Sequence, residues 1–173
     1  MENIRIIKAG PEHFGELKTI AMQTFVETFA AVNTEANMQK YLSENFAAEK
    51  LGSEIKNRNS AFYLARADEE PVGYLKLNFG EAQTETAEMD AVEIERIYVG
   101  KEYYGKGLGQ KLFDLAINVA RERAGGFIWL GVWEKNERAI AFYLKNNFTQ
   151  FDQHIFRLGD DVQTDIMMKL PLT

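Results

Sequence analysis

The run Tyr104-Gly105-Lys106-Gly107-Leu108-Gly109-Gln110 sets three glycines at every second position. It follows a strand-like stretch, residues 92–99, and precedes an amphipathic helical pattern. Glycines so spaced at a strand-to-helix junction add no side chain to a core. They let backbone N–H groups at a helix N-terminus face an outside partner. Those donors and the positive end of the helix dipole make an anion site suited to phosphate. A dinucleotide fingerprint G-x-G-x-x-G starting at Gly105 needs glycine at 110, where Gln110 stands. A nucleoside-triphosphate loop G-x-x-x-x-G-K-S/T starting at Gly100 fits through Gly105 and Lys106. It then meets Gly107 where the magnesium-binding hydroxyl belongs. Both readings fail, so the loop serves another phosphorylated ligand.

A third pattern, Q/R-x-x-G-x-G/A, aligns with Tyr104-Gly105-Lys106-Gly107-Leu108-Gly109; both glycine positions match and Tyr104 replaces Gln or Arg. Further on, residues 136–148 follow N-x-x-A-I/L-x-F/L-Y-x-K-x-G-F, with Asn147 in the glycine position. Asn136 is a good N-cap, and Ile140, Tyr143 and Leu144 share one helical face. Asparagine tolerates the left-handed helix exit next best after glycine. On these ordered motifs the chain resembles the GNAT superfamily of acetyl-CoA-dependent N-acetyltransferases.

The whole chain agrees with that resemblance. Residues 4–8 alternate as a first strand, and Pro11 opens a helix over 11–30 carrying Phe14, Leu17, Ala21 and Phe25. Asn33-Thr34-Glu35 caps a second short helix, and 47–56 forms a third. Strands 61–66 and 71–79 join through Asp68-Glu69-Glu70; a polar loop, 81–90, leads to strand 91–99. A helix over 107–123 ends at Gly125-Gly126, followed by strand 127–133, the motif helix 136–146, and strands 148–157 and 162–170. The order β-ααα-β-β-β-α-β-α-β-β is that of the GNAT fold. The resemblance therefore implies an α/β (α+β) architecture with a mixed central sheet of about seven strands, flanked by helices and splayed between the fourth and fifth strands.

At 173 residues and 46% hydrophobic content, a single domain over 1–173 is expected. No cysteine is present, which excludes disulfides, thiolate metal sites and a cysteine nucleophile. His13 and His154 are far apart in sequence and without neighbouring ligands, so no metal site is expected. A formal charge of −6 opposes sequence-independent nucleic-acid binding and suits a cationic substrate. The charged N-terminus lacks an apolar signal core, and the longest mostly apolar run, 124–133, is too short for a bilayer. A cytoplasmic domain without membrane contact is the expectation; no feature sets an oligomeric state.

The resemblance implies that coenzyme A lies in the splay. Ile97, Tyr98 and Val99 then supply backbone contacts to the pantetheine and acetyl group. Gly105, Lys106, Gly107, Leu108, Gly109 and Gln110 hold the pyrophosphate, with Tyr104 opening the loop. Asn136 and Lys145 contact the cofactor near its thiol end or its phosphates. Acetyl transfer to an amine needs a neutral amine, a stabilised oxyanion and a proton for the leaving thiolate. A backbone N–H near Val99 serves the oxyanion. Tyr143, a phenol of pKa about 10, is the family's usual acid. Glu93 and Glu95 share one strand face by period-two alternation; Glu95 is the first candidate base and Glu93 the second, directly or through water.

The resemblance points toward a primary amine as acceptor, with a polyamine such as spermidine or spermine first. Glu81, Glu85, Glu88, Asp90, Glu93 and Glu95 precede Arg96 without an intervening base, a segment able to attract a polycation. Thr24-Phe25-Val26-Glu27-Thr28-Phe29 and Asn33-Thr34-Glu35-Ala36-Asn37-Met38 resemble the bacterial PaiA-type spermidine/spermine N-acetyltransferases. Glu27, Glu35 and Glu85 are the candidate substrate residues. Two other readings stay open: a GNAT enzyme acting on a protein N-terminus, lysine or other small amine, and an acyl-CoA-binding regulatory protein with little catalysis.

Overall fold

The computed structural model describes residues 3–85 and 90–172; Glu88 of the acidic segment lies outside them. Strand β1 (Ile4–Ala9) leads through a 3-10 turn into helix α1 (Phe14–Phe29), then α2 (Glu35–Asn45) and α3 (Ala48–Lys56). Thr34 caps α2, its hydroxyl accepting the Asn37 N–H at 3.1 Å. A meander of β2 (Ser60–Ala67), β3 (Glu70–Phe79) and β4 (Ala91–Val99) follows. Helix α4 (Leu108–Glu122), β5 (Phe127–Trp133), α5 (Glu137–Lys145), β6 (Thr149–Leu158) and β7 (Asp161–Pro171) complete the chain. The seven strands form one sheet in the order β1-β2-β3-β4-β5-β7-β6.

Small departures from the sequence reading have local causes. The β2–β3 turn is Asp68-Glu69, with Asp68 at φ +53°, and Glu70 already pairs with Ala67 in the ladder. At the end of α4 it is Ala124, not a glycine, that takes the left-handed conformation, at φ +56°. Gly125 and Gly126 are needed for space. A Cβ on Gly125 would lie 3.2 Å from Val92 Cγ2, and one on Gly126 would lie 2.5 Å from Asp90 Oδ2.

Two features of the sheet make the site. First, β3 pairs with β4 as Lys76↔Arg96 and then slips to Leu77↔Ile94, so Glu95 is an extra residue on β4. The bulge shifts the alternation. Ile94, Ile97 and Val99 pack on the α4 side, while Tyr98 joins Tyr74 on the α1–α2 side. Second, β4 and β5 pair in parallel only from Ala91↔Phe127 to Ile94↔Leu130. Beyond that point β5 stays with β7, through Trp133↔Asp165, and β4 stays with β3, through Gly73↔Val99. The strands therefore splay, and two cores on opposite faces of the sheet hold the wedge open. Among the described residues, no helix is long and apolar enough to cross a membrane.

Candidate active site

The splay opens into a cavity of about 1000 Å³, running from the start of α4, between β4 and β5, to the rings of α1 and α2. At one end is the glycine loop. Gly105 and Gly107 sit at φ +73° and +83°, the left-handed region that disfavours any other side chain. A Cβ at either position would meet nothing within 4 Å, so the loop faces open space. The first intrahelical bond at this end runs from Lys111 N–H to the Gly107 carbonyl at 3.1 Å, leaving the preceding N–H groups of the helix start for a ligand. Such a cradle of donors at the positive end of a 15-residue helix fits a pyrophosphate.

Gly105, Gly107, Gly109, Gln110, Tyr104, Asn136 and Lys145 all line the cavity. Leu108 is fully buried in the core and offers only backbone, and Lys106 holds its Nζ 5.1 Å from the ring of the cavity-lining Tyr103. Asn136 caps α5, its Oδ1 accepting the Ala139 N–H at 3.3 Å, and Asn147 leaves that helix at φ +69°. One group was not read from the sequence. The Arg138 guanidinium stacks on the Tyr104 ring at 3.6 Å and lines the cavity. It brings a cation beside the loop position where the motif ordinarily has Gln or Arg.

Along the wedge, residues 95–99 of β4 have no partner on the β5 side, so one edge of backbone is presented to the cavity. Ile97, Tyr98 and Val99 line it. Opposite, Tyr143 of α5 reaches the cavity while packed against Phe142 and Phe148 at 5.5 and 5.7 Å. Burial, and next the neighbouring Tyr98, push its phenol above the ordinary value of 10, so it holds its proton.

The two strand glutamates are brought to one face, yet neither is free. Burial drives Glu95 upward, but Arg96 and Lys76 outweigh it and hold the carboxyl below its ordinary 4.5. Lys76 pairs with it directly, and Asn78 Nδ2 donates to it at 2.8 Å. The same Asn78 amide donates to Glu93 at 2.9 Å, and Glu93 also accepts from the backbone and hydroxyl of Thr84. Burial raises the Glu93 carboxyl despite these bonds. The structure thus gives Glu95, the first candidate base, two cationic partners, Lys76 and Arg96, which also pair with Glu54 at 3.3 and 2.9 Å.

The candidate substrate residues divide. Glu85 lines the cavity. Glu27 and Glu35 do not, which corrects the sequence reading: helical phase sends Phe25 and Phe29 inward and Glu27 outward. The Glu27 carboxylate accepts the Lys101 N–H at 2.9 Å, bracing the turn ahead of the glycine loop. Glu35 occupies the first turn of α2, where its charge suits the helix dipole. His154 and Asp165 are the residues that sequence spacing did not reveal. They face each other across β6 and β7, with Nε2 3.4 Å from Oδ2, and both line the cavity. Burial raises the Asp165 carboxyl above its ordinary 3.8, and His154 opposes that rise. Glu85 Oε1 lies 3.6 Å from His154 Nδ1. The aromatic wall beside them is Phe29, Trp133, Phe156 and Tyr41.

Known proteins place this geometry. The chain is 40% identical over 172 residues, 99% of both sequences, to an uncharacterized N-acetyltransferase in the pepI 3' region of Lactobacillus delbrueckii subsp. lactis. It is 26% identical to spermidine N(1)-acetyltransferase of Thermoplasma acidophilum over 84% of this chain and 88% of that one. The fold matches the crystal structure of the PaiA N-acetyltransferase of Thermoplasma acidophilum in complex with coenzyme A. That match has a TM-score of 0.79 and 25% identity, over 98% of this chain and 99% of that one. Residues 19–148 match the acetyltransferase (GNAT) family. With the splayed sheet, the glycine cradle and these relatives together, the chain belongs to the GNAT family and is an acetyl-CoA-dependent N-acetyltransferase.

Proposed function

We propose that the chain acetylates a primary amine on a small acceptor bearing further positive charge, with a polyamine such as spermidine or spermine as the best fit. The cavity lining supports this reading: Glu85 and Asp165 stand there with Phe29, Tyr41, Trp133 and Phe156. Carboxylates draw ammonium groups, and aromatic faces receive them. The likeness to a spermidine acetyltransferase supports the same acceptor class.

Acetyl-CoA, when bound, supplies a thioester open to attack by nitrogen. The chain's own groups do the rest. The N–H groups of Gly107, Leu108, Gly109 and Gln110 hold the pyrophosphate, and the free edge of β4 aligns the pantetheine arm. A backbone N–H near Val99 receives the developing oxyanion. Tyr143, protonated because it is buried, gives its proton to the leaving thiolate. Glu85 supplies the carboxylate that favours entry of a cation, while Glu95 stays paired with Lys76 and Arg96.

A panel of amines with acetyl-CoA, followed by release of free thiol, tests the acceptor. Partly exposed charges are screened over a Debye length of about 8 Å at physiological ionic strength. KM for spermine should therefore rise with added salt more steeply than KM for butylamine. Equal kcat/KM for the two amines, insensitive to salt, would refute the polyamine reading and leave acetyl transfer standing.

A further inference from the structure

The reaction needs a proton acceptor at the amine, and both strand glutamates already carry donors from Lys76, Asn78 and Thr84. One nitrogen in the same cavity is different. His154 Nδ1 is buried and has no hydrogen-bond partner among the described residues. Its other nitrogen faces the Asp165 carboxylate at 3.4 Å, a contact that orients the ring and leaves Nδ1 as the nitrogen without a hydrogen bond. Glu85 stands 3.6 Å from Nδ1, too far for a hydrogen bond and placed to draw a cation toward it.

The ring also rests at the start of the splay. A Cβ on Gly131 would lie 3.1 Å from His154 Cε1 and 3.6 Å from Asp165 Oδ2. Gly131 is the first residue of β5 past Leu130, the last that pairs with β4. The missing side chain thus lets the imidazole rest against β5 at the edge of the splay. The charged groups in contact with the ring are Glu85 from the loop and Asp165 from β7; Arg157 of β6 lines the same cavity. Across the cavity stand Glu93, Glu95 and Arg96 of β4, and Tyr41 of α2.

We propose that His154 is the catalytic base, taking through Nδ1 the proton of the acceptor ammonium once the Glu85 side chain turns aside, with Asp165 as its positioning residue. The ammonium gives one proton to Nδ1, and the freed amine forms a C–N bond to the thioester carbonyl carbon. The C–S bond breaks, and the thiolate takes the Tyr143 proton. The phenolate is reprotonated by the second proton that leaves the new amide nitrogen. His154 returns its proton to solvent, so the cycle releases one proton, an N-acetyl amine and the free thiol.

The test uses His154→Gln, His154→Ala and Gly131→Ala with spermidine and with butylamine as acceptors. His154→Gln should lower kcat on the order of 100-fold while coenzyme A binds as in the wild type. The acid limb of the wild-type pH–kcat/KM profile should be lost in the variant. Added imidazole should restore part of the activity of His154→Ala, an effect that a packing role would not show. Gly131→Ala, whose new methyl displaces the ring, should lose kcat in the same sense. A readout without turnover comes from NMR, since the chain has two histidines and His154→Gln assigns their resonances. Adding acceptor amine to the coenzyme A complex should shift the His154 resonance and leave His13 in place. Turnover of His154→Ala within about threefold of wild type would overturn the proposal. So would an acid limb that persists in His154→Gln but vanishes in Glu93→Gln.

Discussion

Substituting Gly107 and Gly109 separates two roles that glycine plays in one loop. Gly107 sits at φ +83°, so an alanine there must adopt the left-handed conformation, at about 1–2 kcal/mol. For a domain of this size each kcal/mol moves the melting temperature by about 2–4 °C, so Gly107→Ala should melt about 2–8 °C lower without ligand. Gly109 lies within α4, where a Cβ would meet Val99 Cγ2 at 4.0 Å, an ordinary contact. Gly109→Ala should therefore melt at or slightly above wild type, since alanine is the better helix residue. Both substitutions put a methyl at the cavity lining, against the space that a pyrophosphate needs. Displacing a single charge-assisted hydrogen bond removes about 1.5–3 kcal/mol, which is about 10- to 150-fold in Kd. Calorimetric titration with coenzyme A, in chelator, measures the affinity; differential scanning measures the stability. The expected result is a loss of affinity in both variants and a loss of stability in Gly107→Ala alone. Wild-type affinity in both would refute the placement of the pyrophosphate on this loop.

Tyr143→Phe preserves the packing on Phe142 and Phe148 and removes the hydroxyl; kcat should fall on the order of 10²–10⁴-fold with little change in coenzyme A affinity. Unchanged turnover would reduce the residue to packing. Arg138→Gln deletes the cation stacked on Tyr104, and the Kd for coenzyme A should rise about tenfold or more, with a shallower salt dependence than in wild type. Lys76 is 5% exposed between Glu54 and Glu95, so Lys76→Met leaves uncompensated buried charge and should destabilise by about 3–5 kcal/mol in a urea melt. Glu95 has a folded pKa below its ordinary 4.5, so the stability it contributes is full above that value and is lost as pH falls through the lowered one. Melts of wild type and Glu95→Gln should differ at neutral pH and converge in acid; a difference that does not depend on pH would refute this account.

The parts of this molecule that local rules govern are visible in the chain itself. Alternating glycines before an apolar helical face announce an anion loop, because backbone conformation and helix ends depend on neighbours within one turn. Asn136 caps its helix and Asn147 closes it for the same reason. Strand and helix order follow from hydrophobic period, and with the motifs they give the fold. The acceptor half obeys no such rule. Glu27 and Glu35 lie near the right aromatics in sequence, but helical phase turns one outward and the helix start holds the other. Glu95 has an apt position on its strand, yet a one-residue slip against β3 and the arrival of Lys76 make it a structural counter-ion. Glu85, His154 and Asp165 are far apart along the chain; only the pairing of β6 with β7, and the separation of β5 from β4, gathers them around one cavity. Which charges are paired and which ring nitrogen is left without a hydrogen bond depends on contacts between distant strands, and those exist only once the sheet has formed.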